Sequence, residues 1–379
     1  MKSIEPPRHE DTKKSFLICA FVSWWLIEVS AKVVLSHKKY NLSSITNNNY
    51  FANSNFLLIK TSHRRILKDM KKLLLLLWFF SITAAAQGQI QIVYRGVILD
   101  EALGAAKLSH PLGLDIDPDG NVYIADTGNN RLLKCSQRGE LLREVGGFGF
   151  DKEQFDRPVD VWAGNGLDVF VVDYNNQRLE RYDKDLNYIS SYYSDELQNE
   201  TLQFGYPAAA GLSSNGEIFL AEHEFNRVLR IDSFGKPLSS FGDFNWGEGR
   251  LSRPAKILIS SRREIFVSDS TADAIAEFDN YGNFVRRHGQ GLLRDPAGLA
   301  EIKHKTPNGN ETLLLVADRG NHRIVGLNPA GEVILTFGKM GRAPEQLLSP
   351  ADVAVSGNRI LVLDTGNNRV QIFELKSGL

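Results

Sequence analysis

The sequence predicts an all-β protein, a six-bladed β-propeller with four strands per blade. Three observations carry that prediction. A proline recurs six times, at Pro111, Pro158, Pro207, Pro254, Pro296 and Pro350, each with an apolar residue three positions earlier (Leu108, Phe155, Phe204, Leu251, Leu293, Leu347). An acid follows each proline, at Asp126, Asp173, Glu222, Asp269, Asp318 and Asp364, with 46 to 49 residues between successive acids. The string DTGNNR stands twice, at 126–131 and 364–369. A period near 47 residues, made of short β-branched and aromatic runs between Gly/Asn/Asp turns, is the size of one propeller blade.

The first 86 residues stand apart from the repeat. From Met70 the chain reads MKKLLLLLWFFSITAAAQGQ, a short basic start, an apolar run over 73–80 and a small-residue end at Ala84, Ala85 and Ala86. That layout predicts a signal peptide over 70–86 and export to the periplasm or the extracellular space. The run is too short to span a bilayer, which takes about 20 residues. FLICAFVSWWLI (16–27) is also short and is followed by Glu28 and Lys32, so no stable membrane anchor is expected after cleavage. Residues 1–69, Asn-rich in NLSSITNNNYFANSN, follow no assignable period and read as a disordered, mis-assigned extension ahead of a true start at Met70. The propeller is expected over 87–379.

At 89–97 the chain alternates Ile90, Ile92 and Tyr94 against Gln89 and Gln91, the period of a half-buried strand. The sixth unit ends at VQIFELKSGL without room for a fourth strand. A spare strand at one end and a missing strand at the other predict a last blade shared between the termini, which leaves no exposed sheet edge.

Within the first unit, LGLDI, VYIAD, RLLKC and LLREV read as four strands separated by the DPDGN, TGNN and QRGE turns. The first strand is apolar at the first, third and fifth positions after proline (Leu112, Leu114, Ile116; then Val159, Val161, Ala163). In DTGNNR the acid closes the second strand and the arginine opens the third, so carboxylate and guanidinium can clamp the turn by a charge-assisted pair. The candidate clamps are Asp126 with Arg131, Asp173 with Arg178, Glu222 with Arg227, Asp318 with Arg323 and Asp364 with Arg369. A catalytic unit would stand once, so a motif in five of six blades is a structural part. Blade four reads DSTADAI, with Ala274 in the arginine's place, and is expected to have drifted.

VYIADTGNNRL, VFVVDYNNQRL, LLVADRGNHRI and ILVLDTGNNRV resemble the NHL-repeat family, which places a proline before strand one and an acid, an asparagine and an arginine across the second turn. The resemblance implies a six-bladed scaffold shared by very different functions. Amidating lyases of that family hold zinc with histidines, some directly after the strand-one proline. Here those positions are Leu112, Val159, Ala208, Ala255, Ala297 and Ala351, so that ligand set is absent.

Composition narrows the partners. Residues 1–86 hold 13 basic and 5 acidic side chains, leaving 31 basic and 40 acidic in the remainder, a net charge of −9. That field repels a phosphate backbone and excludes nucleic acid as a partner. Cys135 is the only cysteine after 86, so no disulfide forms within that part, and a small buried hydrophobe is expected. His110, His223, His288, His304 and His322 show no metal spacing.

Two sets of residues are candidate binding groups. The second position after each proline reads Gly113, Asp160, Ala209, Lys256, Gly298 and Asp352, which places Asp160, Lys256 and Asp352 around the channel mouth. Phe150, Tyr192, Tyr193, Phe244 and Trp246 lie on the connections between blades and do not recur in register, so packing accounts for them less well. The expected function is an exported, non-catalytic, monomeric module that recognises a peptide, glycan or protein through one face. No cofactor is expected. The alternative is a lactonase-like or amidating-lyase-like enzyme with calcium or zinc at Asp160 and Asp352.

Overall fold

The computed structural model describes residues 90–99, 107–194, 202–306 and 309–376, and the expected extension and signal peptide lie outside them. The described residues form six four-stranded antiparallel sheets and no α-helix. Blade one runs Gly113–Ile116, Val122–Asp126, Arg131–Cys135 and Leu141–Gly146 from the channel outward. The inner strands of blades two to six are Pro158–Trp162, Pro207–Leu212, Pro254–Ile259, Pro296–Thr306 and Asp352–Ser356. Each inner strand packs on the next, and the sixth packs on the first, so the ring is closed.

Blade six is built from both ends of the chain. Gln91–Ile98 pairs antiparallel with Arg369–Lys376, setting Tyr94 opposite Phe373 and Ile98 opposite Val370, with an irregularity between Tyr94 and Gly96. Ile90, Ile92 and Tyr94 pack on the cluster that holds Phe373 and Leu375, and the Tyr94 and Phe373 rings meet edge-on at 5.7 Å. The alternation seen in the sequence is therefore the alternation between core and solvent.

Six apolar clusters form the core, one between each pair of neighbouring blades. The cluster between blades six and one, for example, joins Leu114, Ile124 and Leu133 to Leu361, Leu363 and Val370. Cys135 is buried in the same cluster, and burial pushes its thiol up to about 12.

Every residue of DTGNNR has a bond to make. Asp126 accepts from the Ser109 backbone N–H (2.7 Å), Asn129 Nδ2 (2.8 Å) and Arg131 Nε (2.8 Å). Thr127 donates to the Pro158 carbonyl of the next blade (2.7 Å). Gly128 crosses the Ser109 backbone so closely that a Cβ would lie 2.6 Å from its carbonyl oxygen. Asn130 is left-handed (φ 51°), and its Oδ1 accepts from the Arg157 backbone N–H (2.9 Å). Arg131 also donates to the Lys107 carbonyl (2.8 Å). In the second copy Thr365 reaches the Pro111 carbonyl (2.8 Å) and Asn368 the His110 N–H (2.8 Å). The motif clamps its own turn and stitches one blade to the next.

Blade five departs from the regular unit. Its inner hairpin, Pro296–Thr306 and Gly309–Asp318, has strands of 11 and 10 residues, where the inner strands of the other blades have 4 to 6.

Candidate functional site at the channel mouth

In an antiparallel meander the turns alternate between the two ends of the sheet. The second turn of each blade and the connection to the next blade therefore share one face of the ring. The prolines begin the inner strands on that same face, so the residues after them surround the mouth of the channel.

Asp160, Lys256 and Asp352 converge there, from blades two, four and six. Lys256 Nζ lies 2.6 Å from Asp160 Oδ1 and 2.8 Å from Asp352 Oδ2. The remaining oxygens are also engaged: Asp160 Oδ2 accepts from the Ala210 N–H (3.1 Å), and Asp352 from those of Leu114 (2.9 Å) and Val353 (2.9 Å). Glycine at 113 and 298 is required by close approach. A Cβ on Gly113 would meet Asp160 Cα at 2.7 Å, and one on Gly298 would meet Asp352 Oδ1 at 2.1 Å. The alternation of charged and small residues thus packs a crowded channel and bridges three blades with one ammonium.

Burial sets the protonation of this cluster. It raises Asp352 to about 7 and raises Asp160, with the Lys256 charge opposing both shifts. Asp115, a blade-one neighbour, is pushed by burial to about 6 against the pull of Lys256. Its Oδ2 accepts from the Ala163 N–H at 2.6 Å. Lys256 is held above the usual lysine range because the attraction of Asp160 and Asp352 outweighs its own burial. Three buried carboxyl groups thus neighbour one ammonium, and burial favours their protonated forms while the Lys256 charge favours the ionised ones.

Above the cluster, a half-open depression with a cavity volume of about 110 Å³ is rimmed by Arg157, Tyr174, His223, Arg253 and Arg319. His223 Nε2 lies 2.8 Å from the Pro254 carbonyl, so it carries the proton, and Nδ1 accepts from the Tyr174 hydroxyl (3.2 Å). Burial lowers the His223 pKa, and Arg253 and Arg157 lower it further, so the ring is neutral. The Arg157 guanidinium lies over the Tyr174 ring at 4.9 Å, and Arg319 is held by a bidentate pair with Asp295 (2.5 and 2.7 Å). Of these rim residues only His223 was weighed from the sequence, as a metal ligand, and each of the five occupies a variable position beside a proline or an acid.

The other candidates divide by position. Phe150 and Phe244 are exposed on blade connections of this face, as are Phe148 and Met340, and Phe225 is exposed on its second turn in blade three. Tyr192 and Tyr193 end the outer strand of blade two and belong to packing. Tyr192 lies against the cluster between blades two and three, and the Tyr193 hydroxyl accepts from Arg178 (3.1 Å). Trp246 sits in the 3-10 turn Phe244–Gly249, and its side chain lies outside the described part of the structure.

The five acid–arginine pairs close at 2.7 to 3.0 Å, and in each the acid is fully buried. Blade four lacks this clamp, and Asp269 accepts from the backbone N–H groups of Ser252 (2.8 Å), Arg253 (2.9 Å) and Ala272 (3.2 Å). Arg287, from the outer strand, brings Nη1 to 3.7 Å from Asp269 without a hydrogen bond to it and donates to the Glu248 and Arg250 carbonyls of the preceding connection. A cation thus stands near the acid without closing the turn.

The NHL repeat matches this chain at residues 108–135 and 347–373, the two segments that carry DTGNNR. The fold is a six-bladed β-propeller, and two of its blades match the NHL repeat. This propeller is 22% identical to NHL repeat-containing protein 2 of Gallus gallus, across 77% of the chain and 50% of that protein. It is 25% identical to the probable peptidyl-alpha-hydroxyglycine alpha-amidating lyase pgal-1 of Caenorhabditis elegans, across 46% of the chain and 49% of that protein. The chain thus spans about half the length of these curated relatives. Among solved structures, a streptogramin B lyase superposes with a TM-score of 0.51 at 12% identity, over 76% of this chain and 98% of its own, a likeness of fold alone.

Proposed function

We propose that this NHL-repeat propeller is an exported binding module that recognises a peptide, glycan or protein through the mouth face, without turnover. One observation carries the proposal: the carboxylates of the channel are already bonded to Lys256 and to backbone N–H groups. A divalent cation would have to displace a buried ammonium to reach Asp160 and Asp352. The surface around the mouth presents Phe150 and Phe244, 69% and 74% exposed, which is the chemistry of a contact surface. The clamps and inter-blade bonds hold the connections that carry them, so the face is preorganised.

The similarity to a probable amidating lyase favours a second reading, a metal-dependent lyase at the same mouth. Its residues do not fit a metal. Among the described residues no three His, Cys, Asp or Glu side chains gather as a ligand set. The one mouth histidine is bonded through both nitrogens. Capture experiments with the purified chain and a Phe150→Ser/Phe244→Ser variant test the binding reading: a partner retained by the parent and lost by the variant supports it. Stoichiometric zinc or calcium, lost from Asp160→Ala/Asp352→Ala, would establish the enzyme reading in its place.

A further inference from the structure

We propose that the mouth holds a tetrahedral oxyanion, the phosphate or sulfate group of a ligand, between Arg157 and Arg253. The inference deepens the binding function proposed above and rests on it for the ligand's identity only. Arg157, Tyr174, His223 and Arg253 adjoin one another on blades two to four and line the same depression. Both arginines are exposed, and neither guanidinium makes an ion pair among the described residues. His223 is neutral and tied, so it supplies no competing charge and holds the Tyr174 ring beneath Arg157. Arg319, across the mouth, is already satisfied by Asp295.

The carboxylates of the floor are covered from the depression above them. Asp160 and Asp352 side chains are 3% and 1% exposed, turned into bonds with backbone N–H groups, while Lys256 is the most exposed of the three at 13%. The groups that reach the surface of this depression are guanidinium and ammonium groups, with the carboxylates buried below them. Two guanidinium forks from different blades, with an ammonium below, converge from several directions. A tetrahedral anion offers oxygens in several directions, whereas a planar carboxylate offers two in one plane. A duplex backbone needs a long basic track, which two arginines on one depression do not make. A single anionic group needs only these two forks.

Calorimetric titration of the full chain with inorganic phosphate, inorganic sulfate and acetate, at low ionic strength, tests this. Phosphate or sulfate should bind with one site per chain, and acetate at least tenfold more weakly. Phosphate should strengthen from pH 6 to 8 as its dianion forms while sulfate stays flat, and the tighter of the two at pH 8, where both are dianions, identifies the group that the site prefers. Arg253→Gln should weaken the tetrahedral anions tenfold or more without changing the melting temperature, since that guanidinium supports no part of the fold. Arg342→Gln, exposed on the same face and away from the mouth, should bind as the parent does. Absence of phosphate and sulfate binding, acetate binding equally well, or an unchanged Arg253→Gln affinity would each overturn the proposal. Loss of partner capture in Phe150→Ser/Phe244→Ser would leave these titrations unaffected, so the two proposals fail separately.

Discussion

Asn368 Oδ1 accepts a hydrogen bond from the backbone N–H of His110 at 2.8 Å, joining the last blade to the first. The same bond joins blade one to blade two through Asn130 and Arg157 (2.9 Å). Blades four to five and five to six are joined through Asp273 and Asp295 (2.7 Å) and through His322 and Ser349 (2.9 Å). The donor in each case is the residue before the strand-one proline, and its φ is positive. Proline disfavours the helical region for the residue before it, and a left-handed non-glycine residue costs about 1–2 kcal/mol. The side chain of the neighbouring turn compensates for that strain.

Asn368 separates the two contributions at such a junction. Asn368→Gly keeps the left-handed backbone (φ 51°) and removes the acceptor, which should cost about 1 kcal/mol. Asn368→Ala adds strain and should cost roughly 2 kcal/mol in total. Urea unfolding of both variants measures the difference, and equal losses would show that the backbone conformation carries no strain.

A chain that begins at Lys107 lacks the closing strand and leaves Val370, Phe373 and Leu375 without cover. It should lose cooperative unfolding and associate through the bare edge of blade six. A chain that begins at Gln87 should melt as the full chain does. Calorimetry and size-exclusion chromatography of both truncations provide the comparison.

Lys256→Met leaves two buried carboxylates facing one another across the channel. Removing one partner of a buried ion cluster costs roughly 3–5 kcal/mol. Adding Asp160→Asn and Asp352→Asn to that variant should recover most of the loss, because the uncompensated charges are then gone. Denaturant midpoints of the single and triple variants decide it.

The channel also gives stability a pH dependence. A carboxyl whose pKa is higher in the folded than in the unfolded state binds its proton more tightly when folded. Its contribution is complete below the unfolded value of 3.8 and is lost as pH rises through about 6 for Asp115 and about 7 for Asp352. The advantage of the parent over Asp115→Asn in unfolding free energy should therefore shrink between about pH 4 and 6 and stay level above that. An advantage that is flat across pH 4 to 6 would mean that Asp115 ionises at its ordinary value, and one that grows would mean that the fold favours its charged form.

Arg287→Ala should destabilise the chain by about 1–3 kcal/mol, leaving Asp269 buried without its cation. Arg287→Ala combined with Ala274→Arg should restore much of that, because position 274 holds the clamp arginine of the other blades. Thermal melts of the two variants measure the rescue.

The repeat made the ring legible because five of the six blades use the same acid–arginine pair at the same spacing. Thr127 and Asn130 recur in blade six as Thr365 and Asn368, and the alternation Ile90, Ile92, Tyr94 marks the strand that closes the ring. Blade four was harder to read, since its cation comes from Arg287, 13 residues beyond Ala274 and on a strand whose solvent-facing arginines look alike in sequence. The long hairpin of blade five escaped for a different reason. The segment from Pro296 to Asp318 is longer than its equivalents, but the connection before Pro296 is shorter, and the overall period hides both changes. At the mouth, the position of Asp160, Lys256 and Asp352 follows from counting after each proline. Their bonding to one another depends on the channel diameter, which no single repeat encodes.

Blade six also dictates when the molecule can become whole. Its outer strand, Gln91–Ile98, is made first, and its partner, Arg369–Lys376, is made last. Throughout synthesis the earliest strand waits without a mate, and five finished blades form an open arc. Only once Arg369–Lys376 has emerged can the circle lock, so products cut short before it cannot close and should fall to proteolysis.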